Sequence, residues 1–190
     1  KPIALPVMVP MRELLPETYS PHEWPNIFIG KDPEGTKQGI NLKFGPHALV
    51  VGPTGAGKTI VLRMIAVRAL ACGHDVIVID PMKAGVDFAS IEPWRTMRVT
   101  NIIDAAKTMK KFYREVERRK AVLVEHGRGF WADLPQEVRD RENIRPLTVI
   151  IDEFTSLVLP EEVSKRMAKI DPDEFERAEE TNDAKETFKI

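Results

Sequence analysis

Residues 52 to 59 read Gly52-Pro53-Thr54-Gly55-Ala56-Gly57-Lys58-Thr59, a complete G-x-x-x-x-G-K-[ST] loop. Residues of these types at this spacing bind phosphate. The glycines let the chain curl until successive backbone N–H groups point inward at phosphate oxygens. A helix starting at the loop adds its free N–H groups and the positive end of its dipole. Lys58 can reach the β- and γ-phosphates of ATP, and the Thr59 hydroxyl can face Mg2+. The rival explanation is a glycine-rich turn ahead of a helix. The flanks argue against it, because the apolar run Ala48-Leu49-Val50-Val51 leads in and the helix-like stretch Ile60 to Ala71 leads out.

A second cluster supplies what the loop lacks. Leu147-Thr148-Val149-Ile150-Ile151-Asp152-Glu153 has the pattern of a buried strand that ends in two carboxylates. Such an ending places Asp152 at the carboxyl edge of the sheet, where open α/β sheets bind ligands. There Asp152 can hold Mg2+, directly or through water, opposite Thr59. Glu153 is then placed to orient and polarise an attacking water. Acidic residues after a strand are common on surfaces, so the pair gains its meaning from the phosphate loop upstream. The expected catalytic residues are Glu153 and Lys58, and the expected metal ligands are Thr59 and Asp152.

Other elements must position these groups. Asp75-Val76-Ile77-Val78-Ile79-Asp80 is a continuous β-branched run, as expected of a strand buried on both faces of a parallel sheet. With the loop strand and the helix between them it makes a βαβ unit. Met97 to Thr100 reads as a short strand. A long helix is expected from about Ile102 to His126, stopped by Gly127, with Ile102, Ala105, Met109, Phe112, Val116 and Leu123 on its apolar stripe. Arg119 falls on that stripe and is expected to snorkel or pair with an acid. Lys107, Lys110, Lys111, Arg114, Arg118 and Arg119 crowd this helix and read as a solvated face. Six prolines between Pro2 and Pro25 favour an extended arm over residues 1–26. Two short strands, Ile27–Gly30 and Gly39–Phe44, should form a small hairpin over residues 27–45. Residues 46–190 would then be part of a phosphate-loop ATPase domain.

Bulk composition excludes other classes. A net charge of −1 gives no global basic field of the kind that coats nucleic acid. The single cysteine, Cys72, leaves no disulfide framework and no Cys/His metal spacing, which fits a reducing, cytoplasmic setting. His22, His47, His74 and His126 are scattered and read as structural or exposed. No LSGGQ-like signature and no NKxD-type guanine reader is present, which argues against ABC-transporter ATPases and small GTPases.

The chain resembles the motor domain of the FtsK/SpoIIIE family. The resemblance spans about residues 27 to 158. It rests on Pro46-His47 leading into the loop, Ile79-Asp80-Pro81 with Lys83, Glu117-Arg118-Arg119, and Asp152-Glu153-Phe154 with Leu157. The stretch Asp80-Pro81-Met82-Lys83-Ala84-Gly85-Val86-Asp87-Phe88 resembles relatives on conjugative elements and phages rather than the cell-division protein. The resemblance implies an α/β fold of the RecA-like, additional-strand catalytic-glutamate class, with a parallel sheet and flanking helices. It implies an ATP-driven homo-hexamer that moves double-stranded DNA, with an arginine from the neighbouring subunit completing each site. A membrane anchor outside this segment is compatible with it. A protein-moving ATPase of the type VII secretion kind and a nucleotide-gated scaffold are the alternatives.

The family's sensor segment, roughly Gly-x-x-Leu-x-x-x-Thr-Gln, does not occur before Ile190. The chain therefore reads as C-terminally truncated, with little nucleotide binding of its own and with activity residing in a parent protein. The sensor strand should sit between the Ala48–Val51 and Leu147–Asp152 strands. Without it those two are expected to run parallel but unpaired, about two strand spacings (~9–10 Å) apart. The charged segment after Pro160 is expected to be the least ordered part.

Overall fold

The computed structural model describes residues 10–14, 26–42, 45–91, 96–158 and 172–188. Most of the proline-rich arm lies outside them. Where it is described, it is not extended, because Met11–Leu14 forms one helical turn (α1) directly after Pro10. Proline suits that place, since its fixed φ and missing N–H cost nothing at a helix start.

The strands β1 (Asn26–Lys31) and β2 (Lys37–Asn41) form an antiparallel hairpin, with Ile27 opposite Ile40 and Phe28 opposite Gly39. The register slips between Phe28 and Gly30, a bulge. Asp32 builds the turn, its carboxylate accepting from the Thr36 N–H at 2.8 Å and from the Gln38 amide at 2.7 Å. After the loop come α2 (Lys58–Ala71), β3 (Asp75–Ile79), a 3-10 turn (Val86–Ile91), β4 (Thr96–Val99) and α3 (Ile102–Glu125). Then follow α4 (Gln136–Arg141), β5 (Leu147–Ile151), α5 (Phe154–Val158) and α6 (Pro172–Lys185).

The main sheet has the order β4-β3-β5. Asp75 N–H donates to Pro146 O and Asp152 N–H donates to Ile79 O, both at 2.9 Å, so β3 and β5 start together and end together. Asp80 N–H donates to Val99 O at 2.9 Å, which sets β4 the same way. The sheet is parallel, and the fold is α/β, as expected. Ala48–Val51 departs from expectation, because it is not a strand. Its side chains Leu49 and Val51 are 82% and 81% exposed. A strand exists through its hydrogen-bonded neighbour, and the only strand beside β5 in the described sheet is β3. Ala48–Val51 therefore does not supply the parallel strand expected across a gap from β5.

The chain divides into two compact units. One comprises Lys1–Val76, Ile91–Thr96 and Arg145–Ile150. In it, α2 and α1 pack on the hairpin, with Ile27, Met64, Ile65, Ala66 and Ala69 buried. Lys31 Nζ reaches Glu13 Oε2 at 2.6 Å. The other unit comprises Ile77–Ser90, Met97–Ile144 and Ile151–Ile190. Val122 at the end of α3 packs with Leu134, Val138 and Ile144. The α3 N-cap is Asn101, whose side chain accepts from the Asp104 N–H at 2.8 Å. Arg119 on the apolar stripe is ion-paired, donating to Glu115 at 2.7 Å. The charged C-terminal stretch also departs from expectation over its described part. Residues 172–188 form α6 and a 3-10 turn that pack on α3, and Ala178 and Phe188 are buried there. Those apolar side chains supply the contact that the charge count concealed. No helix among the described residues is long and apolar enough to cross a membrane.

Candidate active site

The loop lies in the first unit and is built by its glycines. Gly55 and Gly57 have φ of 81° and 88°, a left-handed backbone that a side chain disfavours. Ala56 N–H closes the turn on Pro53 O at 3.2 Å. Gly57 is the N-cap of α2, and Lys58 and Thr59 are its first two residues. The N–H groups of that first turn therefore lie beside the loop. No acidic residue occupies the first turn of α2 to compete for them. Lys58 Nζ folds back and donates to the carbonyl oxygens of Gly52 at 2.9 Å and Pro53 at 3.1 Å. An ammonium on two neutral carbonyls can exchange them for anionic phosphate oxygens at a gain.

Asp152 and Glu153 lie in the second unit. Asp152 follows β5 directly and is only 2% exposed. Its Oδ1 accepts from the Glu153 N–H at 3.1 Å. Glu153 is exposed and has φ of 54°, one of three non-glycine residues with positive φ among those described. That conformation costs an L residue of this kind about 1–2 kcal/mol. It turns the chain sharply between β5 and α5. The Glu153 carbonyl then accepts from Ser156 N–H at 2.8 Å and Ser156 Oγ at 2.7 Å, which starts α5.

Each of the two expected Mg2+ ligands is of a donor type that suits the ion. A hydroxyl and a carboxylate are hard oxygen donors, and Mg2+ takes few protein ligands because phosphates and waters supply the rest. No cluster of three or more His, Cys, Asp or Glu side chains able to hold a metal occurs among the described residues. Thr59 and Asp152 are the candidates.

Sequence reasoning passed over Asp80 as a structural element. It is fully buried, and both its oxygens are used. Oδ1 accepts from the Lys83 N–H at 3.0 Å and Oδ2 from the Gly85 N–H at 3.1 Å. The signal was present in Asp80-Pro81-Met82-Lys83-Ala84-Gly85, since an Asp that opens a turn caps the N–H groups beyond it. Lys83 Nζ meets Asp87 Oδ2 at 3.0 Å. This hydrogen bond raises the Lys83 pKa. The charges of Asp87, Asp152 and Asp80 act in the same direction, against partial desolvation.

The profile of the FtsK/SpoIIIE family matches residues 21–174. The chain belongs to the FtsK/SpoIIIE family. It is 30% identical over 167 residues to the DNA translocase FtsK of Listeria monocytogenes, covering 80% of this chain and 22% of that protein. The DNA translocase FtsK of Bacillus anthracis is 28% identical over 167 residues, with 80% and 21% covered. This chain thus spans about a fifth of the length of the curated relatives it matches. A solved structure of the pCW3 conjugation coupling protein TcpA, monomer form with ATPγS, superposes with a TM-score of 0.68 at 23% identity. The match covers 95% of this chain and 48% of that one, and it supports the fold.

Proposed function

We propose that this chain is the nucleotide-binding core of an ATP-driven double-stranded DNA translocase. The observation that carries the reading is the pairing of two features in one FtsK/SpoIIIE-family chain. One is a glycine-built phosphate loop with its lysine held at the loop's own carbonyls. The other is a buried strand-end Asp152 followed by Glu153.

In this reading the loop N–H groups of residues 52–59 hold the phosphates, and Lys58 binds their β/γ oxygens. Thr59 and Asp152 hold Mg2+, which neutralises phosphate charge when bound. Glu153 holds the proton of the attacking water. The chain bends at Glu153, directly after Asp152. The working form is a homo-hexameric ring around the duplex on the cytoplasmic side of the membrane, possessing any anchor outside this segment.

Duplex DNA added to the native polypeptide containing this chain should stimulate ATP hydrolysis. DNA binding should weaken steeply with salt as counterions are released, about 0.9 log units of affinity per log unit of salt for each phosphate neutralised. An ATPase that ignores DNA and responds to a protein substrate instead would establish the secretion reading in its place.

A further inference from the structure

The loop that leaves β3 is built more tightly than a connection requires. Its anchor is the buried Asp80 carboxylate, with one oxygen on Lys83 N–H and the other on Gly85 N–H. Ala84 and Gly85 then take φ of 51° and 69°, two left-handed residues in succession. Arg98 clamps the far side, its guanidinium donating to Gly85 O at 3.0 Å. A Cβ on Gly85 would come within 3.1 Å of Arg98 Cδ. Strain held by several independent bonds is typical of positions where one group must be placed.

The group so placed is Lys83. Asp80 follows β3, and the N–H of Asp152 bonds to Ile79 O at 2.9 Å, so Asp80 and Asp152 leave neighbouring strand ends on the same edge. Ligands of open α/β sheets bind at that edge. Each Asp80 oxygen accepts one loop N–H, which gives this carboxylate a positional role in the loop. Lys83 is half-exposed, and its ammonium partner Asp87 is exposed to a similar degree, at 46% and 39%. An ion pair in water is weak and easily exchanged. A phosphate oxygen in a drier site is a stronger partner.

We propose that Lys83 is a phosphate-binding residue, an ammonium that leaves Asp87 for the terminal phosphate of the nucleotide whose Mg2+ Asp152 holds. This rests on the nucleotide reading above. Lys83 is then a phosphate lysine carried by the β3 exit rather than by the phosphate loop. Because it addresses the terminal phosphate, it discriminates ATP from ADP.

The test is calorimetric titration of Mg·ATP and Mg·ADP into the native polypeptide containing this chain. Lys83→Met should weaken ATP roughly tenfold while changing ADP less than about twofold, as expected for loss of one charge-assisted bond to the γ-phosphate. Lys83→Arg should restore most of the loss. Asp87→Asn should leave ATP binding unchanged or tighter, because it releases the lysine. Unchanged ATP affinity in Lys83→Met, or equal losses of ATP and ADP, would overturn the proposal. So would an Asp87→Asn variant that loses ATP as Lys83→Met does, since the pair would then be structural. Lys58→Ala is the control for the nucleotide reading itself. If it retains native affinity, that reading fails and the Lys83 role goes with it. Mixing Lys58→Ala chains with Lys83→Met chains identifies whose phosphate is bound. Restored ATP binding assigns Lys83 to a neighbouring subunit's nucleotide, and no restoration assigns it to its own.

Discussion

Lys58 Nζ lies 2.9 Å from the carbonyl oxygen of Gly52, so the lysine that should serve phosphate is bonded to the first residue of its own loop. The contact holds the ammonium at the loop. It also costs little to break, because a carbonyl is a weaker partner for a cation than a phosphate oxygen. Lys58→Ala in the native polypeptide should therefore leave the fold intact and abolish tight ATP binding. Thermal unfolding should shift by less than about 1 kcal/mol, since the two bonds lost are partly exposed. Native nucleotide affinity in this variant would remove the phosphate-loop reading.

Binding and chemistry should separate at Glu153, the proposed general base. Glu153→Gln keeps the side-chain length and a hydrogen-bonding tip but removes the charge proposed to polarise water. ATP should bind as before while turnover falls by roughly 10²–10⁴, the usual contribution of a general base. The backbone bend at φ of 54° is unchanged by the substitution, so stability should move little. Hydrolysis within a few-fold of the native rate would mean that another group activates the water.

The parts of this molecule that were legible in the sequence are those set by local pattern. Glycines at 55 and 57 announce left-handed backbone, and both adopt it. The β-branched run Val76–Ile79 announces a buried parallel strand, and Val76, Val78 and Ile79 are nearly inaccessible. Arg119 on an apolar stripe announces a partner, and Glu115 provides it, its carboxyl held down to about 2 chiefly by the hydrogen bond from Arg118, with Arg119 adding to it. What failed was non-local. Ala48–Val51 has the composition of a strand, but composition cannot supply the neighbouring backbone that makes one. Residues 172–188 belong to the charged segment expected to be least ordered, and its order comes from Ala178 and Phe188, buried in a stretch that packs on α3 and α5. The Asp80 clamp was written in the chain, yet its use became visible only with Gly85 and Arg98 brought around it.

His74 should give the fold a pH dependence in the mildly acidic range. The ring is 2% exposed and its Nδ1 lies 2.9 Å from Thr148 Oγ1. Burial lowers its pKa from 6.5 to about 4, with Asp75 opposing. The unfolded chain therefore binds the proton first as pH falls. Stability from this group is complete above about pH 6.5, declines between 6.5 and 4, and is lost below the folded value. The melting temperature of the native chain should drop across that window more steeply than that of His74→Gln, which has no ring to protonate. Parallel pH profiles for the two proteins would show that His74 is not the titrating group.

Asp80→Asn tests whether the β3 exit loop is held by charge and geometry together. The asparagine side chain fits the same space but offers one acceptor and one NH2 donor. Asp80 now accepts from two backbone N–H groups, Lys83 at 3.0 Å and Gly85 at 3.1 Å. The substitution therefore sets an N–H against one of these two N–H groups, beside a side chain that is fully buried. A buried donor left unmet costs about 1–3 kcal/mol, more where the partner lost was charged. The variant should melt lower by that amount. Hydrogen exchange at Lys83 and Gly85 should quicken well beyond the change seen at the α2 amides. Lys83→Met alters a half-exposed tip and should do neither. A native-like melt for Asp80→Asn, with unchanged protection of both amides, would mean that Ala84, Gly85 and Arg98 hold the loop without the carboxylate.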